Sequence, residues 1–578
     1  MYFDSNQLYA SFVVVFAAAL IGSLLIFQRD RWRVRTRQWG VAVLGACAML
    51  AVVSWTRFGD MHAIFVDAPD VSPGQPHRRK IEQHRPFHFH EFFHYYVGAK
   101  YFRDLGYEGL YDCTALADTE NAKELGLKPH VGEWVRDLDD VLRDKSYDDA
   151  LAHCRDEYLP RMGPDRWATF KADLRTLQSL VPDEWWGDVV YDAGFNPPPS
   201  WVLLGGTLAN AIPIRVGATE TFLLATALDM ALLVACFLVL RASFGPAVAT
   251  TAAIFFGASF IASYGWNGGA FLRYTWVATL VFGLAAARRG RWVLAGAMLG
   301  AAACDRIFPA GFAVGAAIPL AWRALRSEAD RTRLKRLGIG FGGTIAVLVL
   351  ASMLVFGFDS WRVFFTRIGR HGDVYYTMHI GLKKVLTWRD WVASQNFHGH
   401  EGLKRFHDWN LHLRATWAET RWLVIPVQAL ALGGAGLASL RRRPHEAAVL
   451  VGSVAMFCFS LPANYYYVIL ALVPALLLRG AMTAPTVERR IRDWVVFSVF
   501  ALFWLSTLLA PRLYNDDIVY DHFICVALLA FFGVWIAVWM PWEQGLAALR
   551  ARTATKDGVQ PQPPEPKSES GTVPGVEG

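Results

Sequence analysis

The chain has 578 residues, of which 54% are hydrophobic and 14% aromatic, and its mean hydropathy is +0.25. Such a composition is too apolar for a water-soluble protein of ordinary surface. The formal net charge of +7 would suit nucleic acid, but the basic residues lie in short connections between apolar segments, for example at 29–37 and 441–443. That distribution is typical of cytoplasmic loops in membrane proteins. We therefore expect membrane lipids, and no nucleic acid, as partners.

Segments of roughly 17 to 25 residues that are nearly free of charge recur along the chain, and a helix of that length crosses the bilayer core. We predict an all-α polytopic membrane protein with about 10–13 transmembrane helices. The first segment is expected to remain as an anchor, because its basic residues follow it. The segment 201–214 is short and follows three prolines, so re-entrant, interfacial and short spanning helices are all open. The predicted spans lie near 9–27, 40–56, 218–240, 246–264, 270–287, 292–304, 307–322, 338–357, 422–440, 447–462, 465–478, 494–510 and 519–541.

The loop charges also give the spans a direction, with the basic connections on the cytoplasmic side. Helical patterning in the large outer loop is clearest at 88–104, 114–125, 134–159 and 164–181. Cys113 and Cys154 lie in this loop, and its oxidising setting leaves both a disulfide and two free thiols open. The predicted units are 1–56 with two N-terminal transmembrane helices, 57–200 as a large extracytoplasmic helical loop, 201–357 as the transmembrane core, 358–421 as a second extracytoplasmic loop, 422–541 with the C-terminal transmembrane helices, and 542–578 as a cytoplasmic, largely disordered tail.

The densest cluster of functional groups is the segment HFHEFFHYY at 88–96, which opens a predicted helix. His90, Glu91 and His94 match HExxH, in which two histidines one turn apart hold zinc and the glutamate activates water. The sequence offers no clear third ligand for such a site. A plain interfacial helix, with its histidines among the lipid headgroups, is the simplest alternative.

The wider segment HEFFHYYVGAKYFRDLGYEGLYD at 90–112 resembles the first outer loop of the GT-C membrane glycosyltransferases. The resemblance is closest to the polytopic mannosyltransferases that use polyprenyl-phosphate mannose, in which an acidic residue, usually Asp, begins a juxtamembrane helix. Here Glu91 takes that position and Tyr95 follows one turn later. The hairpin at 288–323, whose apex reads DRIFP, and the segment NPPP at 196–199 are similar to the same family.

This resemblance implies transfer of mannose, or a related hexose or pentose, from a polyprenyl-phosphate donor to a lipid or glycan acceptor. The reaction would take place on the extracytoplasmic side of a multi-pass protein of the bacterial plasma (inner) membrane. Glu91 is the expected general base, since a carboxylate next to lipid has a raised affinity for protons, and His90 is the reserve candidate. No cofactor is expected, although His90 and His94 would hold a divalent metal in the zinc-protease alternative. A lipid or polyprenyl-linked substrate transporter is the third alternative.

Arg273 and Arg306 are the expected ligands of the donor phosphate, because an arginine in or beside a span is costly unless it is paired. Two simpler interpretations stay open, namely a local ion pair of Arg306 with Asp305 and snorkelling of Arg273 to the headgroups. The remaining candidates for substrate contacts are Tyr95, His371, His379 and Arg512.

Overall fold

The computed structural model describes residues 4–67, 80–132, 134–181, 186, 189–214, 220–388, 397, 399–484, 486–514 and 516–542. In this part of the chain eight helices are long and apolar enough to cross a membrane, and five shorter apolar helices accompany them. Each predicted span coincides with one of these helices. The prediction of an all-α polytopic membrane protein is therefore confirmed. From residue 543 onward, the predicted tail lies outside the described residues.

Eight helices are long enough to cross a bilayer, because a helix of about 20 residues is about 30 Å long. The long candidates are Ser5–Phe27, Val34–Trp55, Glu220–Phe244, Glu328–Phe356, Lys404–Ser439, Asn464–Met482, Val487–Tyr514 and Asp517–Trp539. The shorter apolar helices are Pro246–Gly257, Thr275–Arg288, Trp292–Asp305, Ala310–Ala324 and Pro444–Phe459.

The five shorter helices share one arrangement that positions the site. Each has one end at a basic connection and its other end at one of three polar turns, 258–274, 306–309 and 460–463. Helices of 12 to 16 residues are only about 18–24 Å long, so their far ends stop short of a bilayer core about 30 Å thick. Each of the three turns therefore lies at the end of at least one helix that is shorter than a full span. We call them the recessed turns.

The large loop is helical with two small hairpins. Its strands pair as His62–Asp67 with Lys80–Arg85 and as Trp134–Arg136 with Asp144–Ser146. Its α-helices are Phe89–Glu91, Gly98–Lys100, Phe102–Leu105, Gly109–Leu125, Tyr147–His153, Leu159–Met162 and Pro164–Gln178, with π-helical turns at Phe92–Val97 and Cys154–Tyr158. The second loop contains Asp359–His371, Leu382–Thr387 and Gly399–Thr420, and a 3-10 turn follows at Arg421–Leu423.

The predicted helix at 134–159 is wrong in its first half, where the second hairpin lies. The short segment Trp134–Arg136 has room for only one turn before an acidic loop, and it pairs with Asp144–Ser146 instead. The helix begins at Tyr147, because the Ser146 side chain caps it by accepting a hydrogen bond from the Asp149 backbone N–H. Cys113 and Cys154 then meet in a disulfide, with their Cα atoms 5.0 Å apart. Of the two alternatives, a disulfide and two free thiols, the structure contains the disulfide.

The ambiguous segment 201–214 forms the helix Pro199–Ala211. Its 13 residues measure about 20 Å, which is too short to cross a bilayer. It packs against the span Glu328–Phe356 and the π-helical turn of the large loop. Its length is similar to that of the five shorter apolar helices.

The two outer loops are fastened to each other and to the recessed turns. Buried Arg367 donates hydrogen bonds to the backbone carbonyls of Tyr107 at 2.9 Å and Leu138 at 2.6 Å. His379 forms a β-bridge with Ala463. These contacts group the two outer loops at one end of the molecule.

Candidate functional site

The recessed turn 258–274 places Arg273 inside the protein. Its backbone is irregular, with positive φ at Gly269 (+70°) and Leu272 (+53°), and irregular backbone at membrane depth is tolerated only where protein surrounds it. Asp229, inside the span Glu220–Phe244, accepts a hydrogen bond from the Tyr274 N–H at 2.9 Å. Asp229 thus fixes the backbone next to Arg273.

Glu91 meets Arg273 at the start of the juxtamembrane helix. The helix is attached to the same turn, because the His88 N–H donates to the Gly269 carbonyl at 3.0 Å. Glu91 is only 8% exposed, and its Oε2 lies 3.4 Å from Arg273 Nη1. Burial raises the pKa of Glu91, and the positive charge of Arg273 opposes that rise. The cation therefore helps to keep a buried carboxylate ionised.

Three tyrosines surround the Arg273 guanidinium. Its carbon lies 4.5 Å from the ring centre of Tyr95, 4.5 Å from that of Tyr465 and 5.3 Å from that of Tyr466. Arg273 is 2% exposed, so it does not snorkel to the headgroups, and that alternative is wrong. Its Nε and Nη1 nevertheless find no hydrogen-bond partner among the described residues. Nη1 faces Glu91 at ion-pair distance, so Nε is the donor left for another acceptor.

Arg306 approaches the same tyrosines from the recessed turn 306–309. Its Nη1 donates to Asp305 Oδ1 at 2.9 Å, so the local ion pair is present. Its Nε also donates to the Tyr466 hydroxyl at 3.2 Å, and its guanidinium lies 5.7 Å from the Tyr95 ring centre. Arg306 Nη2 is buried and has no hydrogen-bond partner in the described chain. Pairing with Asp305 therefore leaves part of its donor capacity unused.

We call Glu91, Arg273, Arg306 and the tyrosines 95, 465 and 466 the arginine–tyrosine cluster. It holds one carboxylate and two guanidiniums in a buried setting, where charge interactions are stronger than in water. Aromatic faces on several sides keep the cations desolvated while stabilising them through cation–π contacts. Such a constellation can accept a proton at Glu91 and bind an anion with several oxygens at the guanidiniums.

A second group lies one residue away on the same helix. His90 Nε2 is 3.8 Å and His94 Nε2 is 4.0 Å from Oδ2 of Asp192. These three ligand atoms all lie within 4.8 Å of one another. We call His90, His94 and Asp192 the His–Asp group. The π-helical turn Phe92–Val97 begins between the two histidines, and such turns are frequent at functional sites.

The second-loop candidates form a separate set of rings. His371 lies 5.7 Å from His379 and 5.3 Å from Tyr376, measured between ring centres. Burial and the charge of Arg367 lower the pKa of His371 to about 4, and Asp192 opposes that shift. The set is thus linked electrostatically to the His–Asp group. Arg512 is exposed at the end of its helix, unlike the buried Arg273 and Arg306.

Two carboxylates of the candidate site, Asp192 and Asp229, were not predicted from the sequence. Asp192 is about 100 positions from the histidines that it joins, and no local pattern connects them. Asp229 did leave a signal, because a lone acid within an apolar span is costly and usually has a partner. Its partner proves to be the backbone that carries Arg273.

Comparison with family models, with curated proteins and with solved structures finds no match for this chain.

Proposed function

We propose that the protein is a GT-C-type glycosyltransferase of the bacterial plasma membrane. It would transfer a hexose or pentose from a polyprenyl-phosphate donor to a lipid or glycan acceptor on the extracytoplasmic side. The observation that carries this proposal is the pairing of buried Glu91 with Arg273 beside Arg306. The resemblance of residues 90–112 to the first outer loop of that superfamily supports it independently.

The chemistry needs one base and a stabilised leaving group. The acceptor hydroxyl oxygen attacks the anomeric carbon of the sugar, and the bond between that carbon and the phosphate oxygen breaks. Glu91 takes the hydroxyl proton, and the lipid leaves as polyprenyl phosphate with both electrons of the broken bond. Direct displacement of this kind inverts the anomeric carbon.

The two arginines supply what the leaving phosphate requires. A buried guanidinium stabilises developing negative charge more than one in water does, because no reorganisation of solvent is needed. Arg273 Nε and Arg306 Nη2 have no hydrogen-bond partner among the described residues, whereas Arg273 Nη1 faces Glu91. The half-buried rings of Tyr465 and Tyr466 lie over Arg273.

One observation supports the zinc-protease alternative, and another opposes it. Asp192 supplies the third ligand that the sequence did not reveal. The glutamate of HExxH, however, must serve a metal-bound water, whereas Glu91 is paired with Arg273. The arginine pair has no task in peptide hydrolysis, and we therefore prefer sugar transfer. The transporter alternative gives the large helical loop no evident role, and the sequence shows no inverted repeat of the kind found in many transporters.

The test is transfer of labelled sugar by the full chain in lipid nanodiscs, supplied with a polyprenyl-phosphate hexose or pentose and a lipid or glycan acceptor. Glu91→Gln keeps the shape of the side chain and removes the base. Loss of general-base catalysis costs about 10²–10⁴-fold in rate, so turnover of Glu91→Gln should fall by at least about 100-fold.

Glu157→Gln is the matched control, because Glu157 is exposed in the same loop and pairs only with Arg161 among the described residues. It should leave turnover unchanged. Full activity of a folded Glu91→Gln protein would remove the central assignment, and cleavage of a peptide substrate in place of sugar transfer would favour the metalloprotease.

A further inference from the structure

The His–Asp group has the composition of a transition-metal site. Two imidazole nitrogens and one carboxylate oxygen are a common ligand set for Zn²⁺ and similar ions. The His90 and Asp192 side chains are 38% and 41% exposed, whereas His94 is buried. His94 is therefore held inside the protein, whereas His90 and Asp192 are accessible to solvent and to an incoming ion.

The orientation of His94 is the second observation that points to a metal. Its Nδ1–H donates to the His90 backbone carbonyl at 2.9 Å, which places the lone pair of the neutral ring on Nε2. Metal-binding histidines are typically fixed in this way, with the second nitrogen donating to a carbonyl or carboxylate. The Nε2 atom is the one that lies near Asp192.

The Tyr111 hydroxyl is hydrogen-bonded to the Nε2 atom of His94. Its hydroxyl accepts a hydrogen bond from the Gly194 N–H at 3.0 Å and donates to His94 Nε2 at 2.8 Å. A metal at Nε2 must displace this hydrogen bond. Tyr111 therefore distinguishes a metal site from a simple hydrogen-bonded cluster, because removing its hydroxyl changes the competition for Nε2.

We propose that His90, His94 and Asp192 bind one divalent transition-metal ion through His90 Nε2, His94 Nε2 and an Asp192 carboxylate oxygen. Ligands about 2.0–2.1 Å from a tetrahedral ion lie about 3.3 Å apart. The separations of 3.8 and 4.0 Å from Asp192, and of at most 4.8 Å between the histidines, are wider, and rotation of the half-exposed His90 and Asp192 side chains would bring the ligands together. Three protein ligands leave a position for solvent or substrate.

The ion deepens the proposed function, and this role rests on that function. It would add positive charge one residue from Glu91, on the side of the helix that carries the histidines. An open coordination position could then take an oxygen of the donor phosphate and supplement the two arginines. This differs from the expectation that the transferase needs no metal.

The experiment uses the full-length protein in nanodiscs, stripped with chelator and titrated with Zn²⁺, Mn²⁺ and Co²⁺. Metal content is measured by mass spectrometry, and Co²⁺ absorption reports nitrogen and oxygen ligation. Asp192→Asn and His90→Gln avoid the buried His94, and Asp139→Asn is the control, since Asp139 is exposed in the same loop. Loss of an outer-shell partner costs about 10–100-fold in affinity, so loss of a ligand should cost at least about 100-fold.

One equivalent of metal in the wild type and in Asp139→Asn, lost in both ligand variants, is the expected result. Tyr111→Phe should bind as tightly or several-fold more tightly. Equal affinity of the wild type and a folded Asp192→Asn protein would overturn the site.

Transfer assays with stripped and reloaded protein separate the site from the proposed function. Metal binding that requires Asp192, in a protein that transfers no sugar, supports the site and counts against the transferase. Equal transfer rates before and after stripping overturn the role of the ion and leave the transferase standing.

Discussion

Arg273 is the residue on which the candidate site depends most. A buried cation is costly unless its charge is compensated, and Arg273 is compensated by Glu91 and by the faces of Tyr95, Tyr465 and Tyr466. A planar guanidinium can stack on several rings and still present N–H groups at its edge, which a lysine ammonium cannot. The residue type is therefore part of the site, in addition to its charge.

We predict that Arg273→Lys lowers sugar transfer although the charge is kept. Cation–π contacts at desolvated positions are worth about 2 kcal/mol, which corresponds to about 30-fold in rate. Steady-state transfer assays in nanodiscs measure the change. Arg326→Lys is the control, because exposed Arg326 lies over the Trp322 ring at 5.9 Å outside the cluster. A wild-type rate in Arg273→Lys would show that only charge matters at this position.

The sequence could predict individual residues of the site but not their partners. Arg273 and Arg306 stood out because charges beside spans are rare and usually functional. The approach of Asp192 to His90 depends on how the whole large loop returns to the membrane, and no short-range pattern encodes it. Long-range partners also decide the role of Tyr465 and Tyr466. From sequence alone these tyrosines could equally be residues of the interfacial aromatic belt.

At the scale of elements, the turn 258–274 holds the outer loop and the membrane helices in register. Gly269 has φ +70°, and a Cβ added there would lie 1.6 Å from the Pro86 carbonyl oxygen. Its own carbonyl accepts hydrogen bonds from the His88 N–H and from the Thr226 hydroxyl, each at 3.0 Å. One glycine thus joins the large loop, a span and the turn that carries Arg273.

We predict that Gly269→Ala destabilises the protein by at least about 2 kcal/mol, because both the positive φ and the backbone contact exclude a side chain. Thermal unfolding followed by tryptophan fluorescence measures the loss. Gly433→Ala is the control, since Gly433 lies in the helix Val424–Ser439 with nothing within 4 Å of an added Cβ. An unchanged melting temperature for Gly269→Ala would contradict the close approach to Pro86.

Helices were more predictable than the hairpin for a physical reason. A span is defined by the hydropathy of its own residues, so every apolar segment could be located from the sequence. The strand Trp134–Arg136 has only three residues and depends on its partner Asp144–Ser146. Its acidic surroundings resemble those of an exposed helix until the pairing is known.

For the whole molecule, the disulfide between Cys113 and Cys154 closes a loop with a sequence separation of 41 residues. It joins the helix Gly109–Leu125 to the π-helical turn Cys154–Tyr158. The large loop therefore has a covalent fastening in addition to its own apolar core, which includes Phe170 and Leu174.

We predict that Cys113→Ser/Cys154→Ser lowers the stability of the large loop by up to about 4 kcal/mol, the loop-closure value for this separation. Calorimetry of oxidised and reduced protein should show the same difference in the wild type. Cys47→Ala serves as the control, because Cys47 is a free cysteine in a membrane helix. Identical melting of the wild type and the double variant would mean that the bond does not constrain the unfolded loop.

The disulfide also determines which thiols a reagent can find. Among the seven cysteines, the two outside the membrane helices are bonded to each other, and the five free ones lie within apolar helices. A cysteine introduced at exposed Lys128 would accordingly be the single water-facing thiol of the large loop. An impermeant maleimide dye could then mark that side of the bilayer without removal of any native cysteine.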